Sequence, residues 1–233
     1  MPIFYPFYAP YTIVVLPAII LALYAQFKVQ ATFQQYLRVR AQNGMTGADV
    51  ARMLLRSQGL EGVRVEPIPG RLTDHYDPRD RTIRLSQQVF HGNSLAAIGV
   101  AAHETGHALQ HATDYVPLSV RSSLVPVANI GSQLGLPMAL LGYIFQSGFM
   151  LQLGIMLFSL AVLFQLVTLP VEFNASSRAL GLLEGQGVLA RDEINGAKAV
   201  LSAAALTYVA ATLSAILQLL RLLLMAGLGR RRN

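Results

Sequence analysis

A chain of 233 residues that is 53% hydrophobic and only 13% charged, with a mean hydropathy of +0.46, lies well outside the composition of soluble domains, about a quarter of whose residues are charged. The net charge of +6 does not fit a nucleic-acid surface: eleven basic and eight acidic side chains interleave between Lys28 and Arg121, and the one basic run, Arg230–Arg232, sits beside an apolar segment where lipid headgroups are the natural partner. With no cysteine, disulfides and thiolate metal sites are excluded, which leaves His, Asp and Glu as metal ligands.

The first apolar run, Tyr11–Phe27 with its uncharged lead-in, reaches the ~20 residues that a helix needs to cross a bilayer. Phe4, Tyr5, Phe7, Tyr8 and Tyr11 read as an aromatic belt at the interface. No basic residue precedes Lys28, as a signal peptide would require, so residues 1–27 are expected to be an uncleaved anchor.

A polar section, 28–123, follows and reads as a small α+β unit. Thr46 lies three residues before Asp49, a capping-box spacing, and Val50, Met53, Leu54 and Leu60 recur at helical intervals, with Gly59 as the C-terminal cap. Val63–Pro67 alternates like a strand. Leu72–Tyr76 and Thr82–Leu85 flank Asp77-Pro-Arg-Asp80, a type I turn sequence, and are expected to pair as a hairpin. Asn93 or Ser94 then caps a helix running to about Ala112.

Residues 124–170 contain no charge in 47 positions, too many for one span and suited to a hairpin of two, Leu124–Phe145 and Phe149–Pro170, turning at Gln146-Ser147-Gly148. Gly131 and Gly135 have the spacing of a close helix–helix approach. Residues 171–199 are polar again, and 200–233 hold a fourth apolar run, Val200–Leu220, ahead of the basic tail.

The helix ending near Ala112 contains His103-Glu-Thr-Gly-His107. Residues four apart share one helix face, so both imidazoles can reach one ion, and the adjacent Glu104 can take a proton from a water on that ion. The apolar flanks Ala101-Ala102 and Ala108-Leu109 call for a buried purpose. His111 shares the face but stands ~12 Å along the axis from His103, too far to join the same ion. Gln110 and Thr113 occupy positions where metzincins carry Gly and His, which removes that class. A third ligand must therefore come from elsewhere. Glu172, following the uncharged run, needs a partner at a membrane boundary, which could be zinc, Arg178 or solvent.

His103-Glu-Thr-Gly-His107, Leu72-Thr-Asp-His-Tyr-Asp-Pro78 and Pro170-Val-Glu-Phe-Asn-Ala-Ser176 together resemble the YugP-type neutral zinc metallopeptidases of bacterial membranes, through nearly the whole chain. Glu-Phe-Asn-Ala-Ser is also similar to the Glu-x-x-Ala-Asp element of HtpX-like and CAAX-prenyl membrane proteases. The resemblance implies Zn²⁺ as cofactor, Glu172 as third ligand, and Ser176 in the place of an Asp that supports a ligand histidine. The hydroxyl keeps a hydrogen bond but brings no charge. Tyr76, His75 and Arg178 are candidate donors to the oxyanion of the tetrahedral intermediate, although Asp74, His75 and Tyr76 serve equally as turn residues. By analogy with zincins, Thr82–Leu85 is expected to offer its edge to an extended peptide.

These readings converge on an α-helical multi-span membrane protein with a small zincin-like α+β catalytic domain, assembled from 28–123 and 171–199. Its expected activity is zinc-dependent hydrolysis of membrane-protein or peptide substrates at the bilayer. Eleven basic residues after the first span and none before it place the catalytic section in the cytoplasm, at the inner membrane. Two rivals are a non-catalytic zinc-holding scaffold and a site-two-type intramembrane protease. The latter needs its motif inside a spanning helix and a downstream Asp-Gly, and this chain has no Asp-Gly.

Overall fold

The computed structural model describes residues 10–229. Phe4, Tyr5, Phe7 and Tyr8 of the expected aromatic belt, and Arg230–Arg232, lie outside the described residues. In chain order, a 3₁₀ segment (Pro10–Val15) runs into α1 (Leu16–Leu37) and is followed by α2 (Gly47–Ser57). Strands β1 (Arg64–Ile68), β2 (His75–Asp77) and β3 (Thr82–Ser86) come next, then the short α3 (Gln87–Phe90) and α4 (Leu95–Ala112). Three long helices complete the chain, α5 (Val116–Ile144), α6 (Gly148–Gly185) and α7 (Arg191–Gly229).

Among the described residues, four helical stretches are long and apolar enough to cross a membrane: Tyr11–Leu37, Val116–Ile144, Gly148–Gly185 and Arg191–Gly227. The chain is thus a helical membrane protein with a small α+β section. The described residues divide into two compact units, one holding 10–25, Val120–Leu169 and 207–229, the other holding Gln26–Ser119 and Pro170–Leu206.

The first unit is built from apolar helix surface on both sides. Ala139, Leu151, Phe158, Leu222 and Met225 are buried together. Ile20, Ile130, Phe149 and Leu163 face outward, as lipid-facing side chains must. Here α5 and α6 touch backbone to backbone: a Cβ on Gly131 would strike the Leu157 carbonyl oxygen, and one on Gly135 would come within 2.6 Å of the Phe158 nitrogen. The paired glycines therefore serve close packing.

In the second unit, Thr46 and Asp49 form a complete capping box at the start of α2, and Gly59 takes the left-handed conformation (φ +68°) just past its end. The sheet order is β1-β3-β2, with β1 parallel and β2 antiparallel to β3. This corrects the expectation that Thr82–Leu85 offers an open edge. β3 has a neighbour on each side, so its backbone donors are spent within the sheet, and β1 and β2 are the edges. The hairpin strand is also shorter than Leu72–Tyr76, because Leu72 has φ +56° and cannot continue a strand.

All four long helices outrun their sequence boundaries: α1 runs past Phe27 to Leu37, and α7 covers Arg191–Gly229 in place of Val200–Leu220. α5 begins at Val116 rather than Leu124, since nothing in Val116–Ser123 breaks a helix: Pro117 falls in the first turn, where its missing N–H costs nothing. α6 does not end at Pro170. That proline removes one internal hydrogen bond, but Val171, Ala175, Ala179 and Leu183, spaced four apart and completely buried, hold the next turns.

α4 is the centre of the second unit. It packs on two faces: Leu95, Ile98 and Ala102 join Leu54, Ala179, Leu183 and Leu201, while Ala97, Ala101 and Ala108 join Leu55, Ile83, Leu85 and Val89. A helix covered on two sides is apolar nearly all round, and any polar group it carries needs an internal partner.

Candidate metal centre

Ser94 caps α4 by accepting from the Ala97 amide at 3.2 Å, and the helix then runs unbroken through the His-Glu-Thr-Gly-His motif. Small residues let its neighbours come close. The decisive one is Gly106, within the motif: a Cβ there would lie 2.5 Å from the Ala175 carbonyl oxygen and 3.1 Å from its carbon. α4 and α6 are in backbone contact at that point, and α6 thereby delivers Glu172 to the two histidines.

The imidazoles of His103 and His107 stand edge to face, with centroids 4.7 Å apart. One Glu172 carboxylate oxygen (Oε2) lies 3.3 Å from His103 Nε2 and 3.5 Å from His107 Nε2. The three ligand atoms are all within 4.8 Å of one another. Donors held about 2.0–2.1 Å from a tetrahedral zinc stand about 3.4 Å apart, so the two N···O separations fit a shared zinc ion. Both N···O separations exceed the 2.7–2.9 Å usual for charge-assisted hydrogen bonds.

The tautomers agree with the spacing. His103 Nδ1 lies 3.1 Å from the Ser176 hydroxyl and His107 Nδ1 lies 3.0 Å from Gln110 Oε1. With each Nδ1 engaged, each Nε2 can present a lone pair to an ion. The donor set of two imidazoles and one carboxylate fits zinc and leaves a coordination position for water. Glu104, the neighbour of His103, is buried, and burial pushes its carboxyl above the ordinary range while the two imidazoles oppose the shift.

The remaining candidates are distributed more widely. Glu172 meets the histidines; Arg178 instead donates from Nε to Asn174 Oδ1 at 2.8 Å and from its guanidinium to Thr113 Oγ1 at 3.3 Å, and lies over the Tyr115 ring. His75 is spent on its own turn, donating from Nδ1 to the Thr73 carbonyl at 2.8 Å. Tyr76 pairs its hydroxyl with His111 Nδ1 at 2.8 Å, one helical turn beyond His107. Asp74 is structural: it accepts from the Ser86 amide at 2.7 Å and the Ser86 hydroxyl at 3.2 Å, fastening the lead-in of β2 to the end of β3.

One residue of the site, Gln110, is not singled out by the sequence. Gln110 is completely buried and also donates to the Val171 carbonyl at 2.8 Å and to Asn174 Oδ1 at 3.0 Å. The available signal was a glutamine three residues beyond His107 on an apolar helix, a buried amide that had to have partners.

The model of the family described as "Putative neutral zinc metallopeptidase" matches residues 11–227. The chain belongs to that family. It is also 50% identical, over 213 residues, to the "Putative membrane protease YugP" of Bacillus subtilis strain 168, covering 91% of this chain and 95% of that protein. No solved structure matches. The match of this family to nearly the whole chain covers both ligand-bearing helices, α4 and α6.

The backbone contact at Gly106 predicts that Gly106→Val forces α4 and α6 apart and separates Glu172 from the histidines. Bound zinc per protein, measured by mass spectrometry after purification without chelators, should fall to a small fraction of the wild-type value. Retention of full zinc would show that the contact is not needed.

Proposed function

We propose that this chain is a membrane-bound zinc endopeptidase that cleaves proteins or peptides at the bilayer surface. The observation that carries the reading is Glu172 Oε2 lying 3.3 Å from His103 Nε2 and 3.5 Å from His107 Nε2, next to the buried Glu104. A zinc ion held there supplies Lewis acidity to the scissile carbonyl and acidifies water toward neutral pH. His103 and His107 present lone pairs whose direction Ser176 and Gln110 fix. Glu104 takes the proton of the attacking water and passes it to the nitrogen of the leaving amine. Apolar packing on both faces of α4 limits the reorganisation of these groups. Tyr76 of β2 is hydrogen-bonded to His111 of α4, and this pair is the better candidate for oxyanion stabilisation, since His75 and Arg178 are engaged elsewhere.

The rival readings fare worse. A purely structural zinc site is closed by four protein ligands, and three converge among the described residues. A scaffold also gives Glu104 no role. For a site-two-type protease the motif must lie in a spanning helix, but α4 has 18 residues and is not one of the four apolar stretches long enough to span.

The substrates proposed, membrane-associated proteins or peptides, follow from a site whose third ligand, Glu172, is carried by α6, one of the apolar stretches long enough to span. A cytoplasmic orientation follows from the eleven basic residues between Lys28 and Arg121, with none before them.

Metal content and cleavage test the reading together. Wild-type protein should hold about one zinc, Glu172→Ala should lose it, and Glu104→Gln should keep it while peptide cleavage drops by roughly a thousandfold or more. A wild type without zinc, or unimpaired cleavage by Glu104→Gln, would sink the mechanism. For orientation, a reporter fused at residue 90 should be active only in its cytoplasmic form; activity on the outer side reverses the assignment.

A further inference from the structure

We infer that Gln110, Asn174 and Arg178 form a one-way hydrogen-bond chain that fixes the tautomer and direction of the ligand His107. The inference rests on the zinc-site reading above and adds positioning residues to it.

The direction of the chain can be read from its fixed end. Arg178 can only donate, so the Asn174 atom that it meets at 2.8 Å must be the oxygen. The same oxygen stands 3.0 Å from the Gln110 side chain, which must therefore present its NH₂. The second contact of that NH₂ agrees, because the Val171 carbonyl at 2.8 Å is also only an acceptor. With the amide nitrogen committed to two acceptors, the Gln110 oxygen is the atom left for His107 Nδ1 at 3.0 Å. An oxygen there accepts, so Nδ1 carries the proton and Nε2 faces Glu172 with its lone pair. Neither amide can flip without placing two donors or two acceptors face to face.

The chain also joins the two ligand-bearing helices. Gln110 on α4 grips the carbonyl of Val171, the residue before Glu172, across 61 positions of sequence. One completely buried side chain thus orients the second ligand and fastens the backbone next to the third. His103 is backed by the Ser176 hydroxyl, so both ligand imidazoles rest on neutral partners where a carboxylate would make them more electron-rich.

The chain makes an inverted demand on conservative substitutions. At 110 the closest replacement in shape, Gln110→Glu, should fail, because its carboxylate would face the Val171 carbonyl and Asn174 Oδ1. At 174, Asn174→Asp should succeed, because only the acceptor oxygen is used. The test is zinc affinity by chelator competition, with the cobalt-substituted visible spectrum as a reporter of ligand geometry. Gln110→Met, Gln110→Glu and Asn174→Leu should weaken zinc binding by about 10–100-fold and alter the spectrum, whereas Asn174→Asp should stay within about threefold of wild type. If the Gln110 variants do not fold, the Asn174 pair decides alone. Equal affinity in Asn174→Leu and Asn174→Asp, or wild-type affinity in the folded Gln110 variants, overturns the chain and leaves the zinc site standing. A wild type that binds neither metal overturns both.

Discussion

A carboxylate buried at the end of a long uncharged helix segment must be compensated, and the second unit of this protein is organised around that requirement at Glu172. Its side chain is 3% exposed. Leaving such an anion without compensation costs several kcal/mol, and water is not at hand to supply the missing interactions. Two imidazoles on one face of α4 meet it instead. For that encounter α4 must be buried, its residues must be small where α6 approaches, and α6 must continue beyond Pro170. Each of these conditions appears in the sequence as an alanine, a glycine or an uninterrupted apolar stripe.

The polar groups around the centre obey the same economy. Gln110, Ser176 and Asn174 are each used by at least one neighbour on the other helix, and Arg178 keeps its charge at the margin, between Thr113 and the Tyr115 ring. Neutral hydrogen-bonding groups fill the interior while the formal charges there are confined to Glu104 and the ligand set. Buried networks are costly when half-satisfied, and here the completely buried Gln110 amide is satisfied through both its oxygen and its nitrogen.

How much of this was legible depends on whether the signal was local. Absence of charge over 124–170 announces paired spans, because hydrocarbon forbids what water allows. Thr46 and Asp49 announce a helix start, and the four-residue spacing of His103 and His107 places both rings on one face. Sheet order was hidden: Val63–Pro67, Leu72–Tyr76 and Thr82–Leu85 all read as strands, but nothing in their own residues says that Thr82–Ser86 lies in the middle. The length of α6 was hidden as well, since Pro170 is a local stop signal that burial of Val171, Ala175 and Ala179 overrides. His75 looked like site chemistry because it adjoins Tyr76, yet its ring turns back to Thr73. Gln110 went unrecognised because its partners, Val171 and Asn174, are remote in sequence.

The contact between Gly106 and Ala175 has an evolutionary corollary. Most tight spots in a protein can be relieved from either side, a larger residue on one element being offset by a smaller one opposite. Here the atom in the way is a main-chain carbonyl oxygen, which every possible residue at 175 carries, and only glycine is smaller than the alanine already there. No exchange at 175 can make room for a side chain at 106. The usual two-step route, in which a damaging change is later rescued by its neighbour, is therefore closed, and variation at 106 must be absorbed by moving an entire helix together with the ligand it carries.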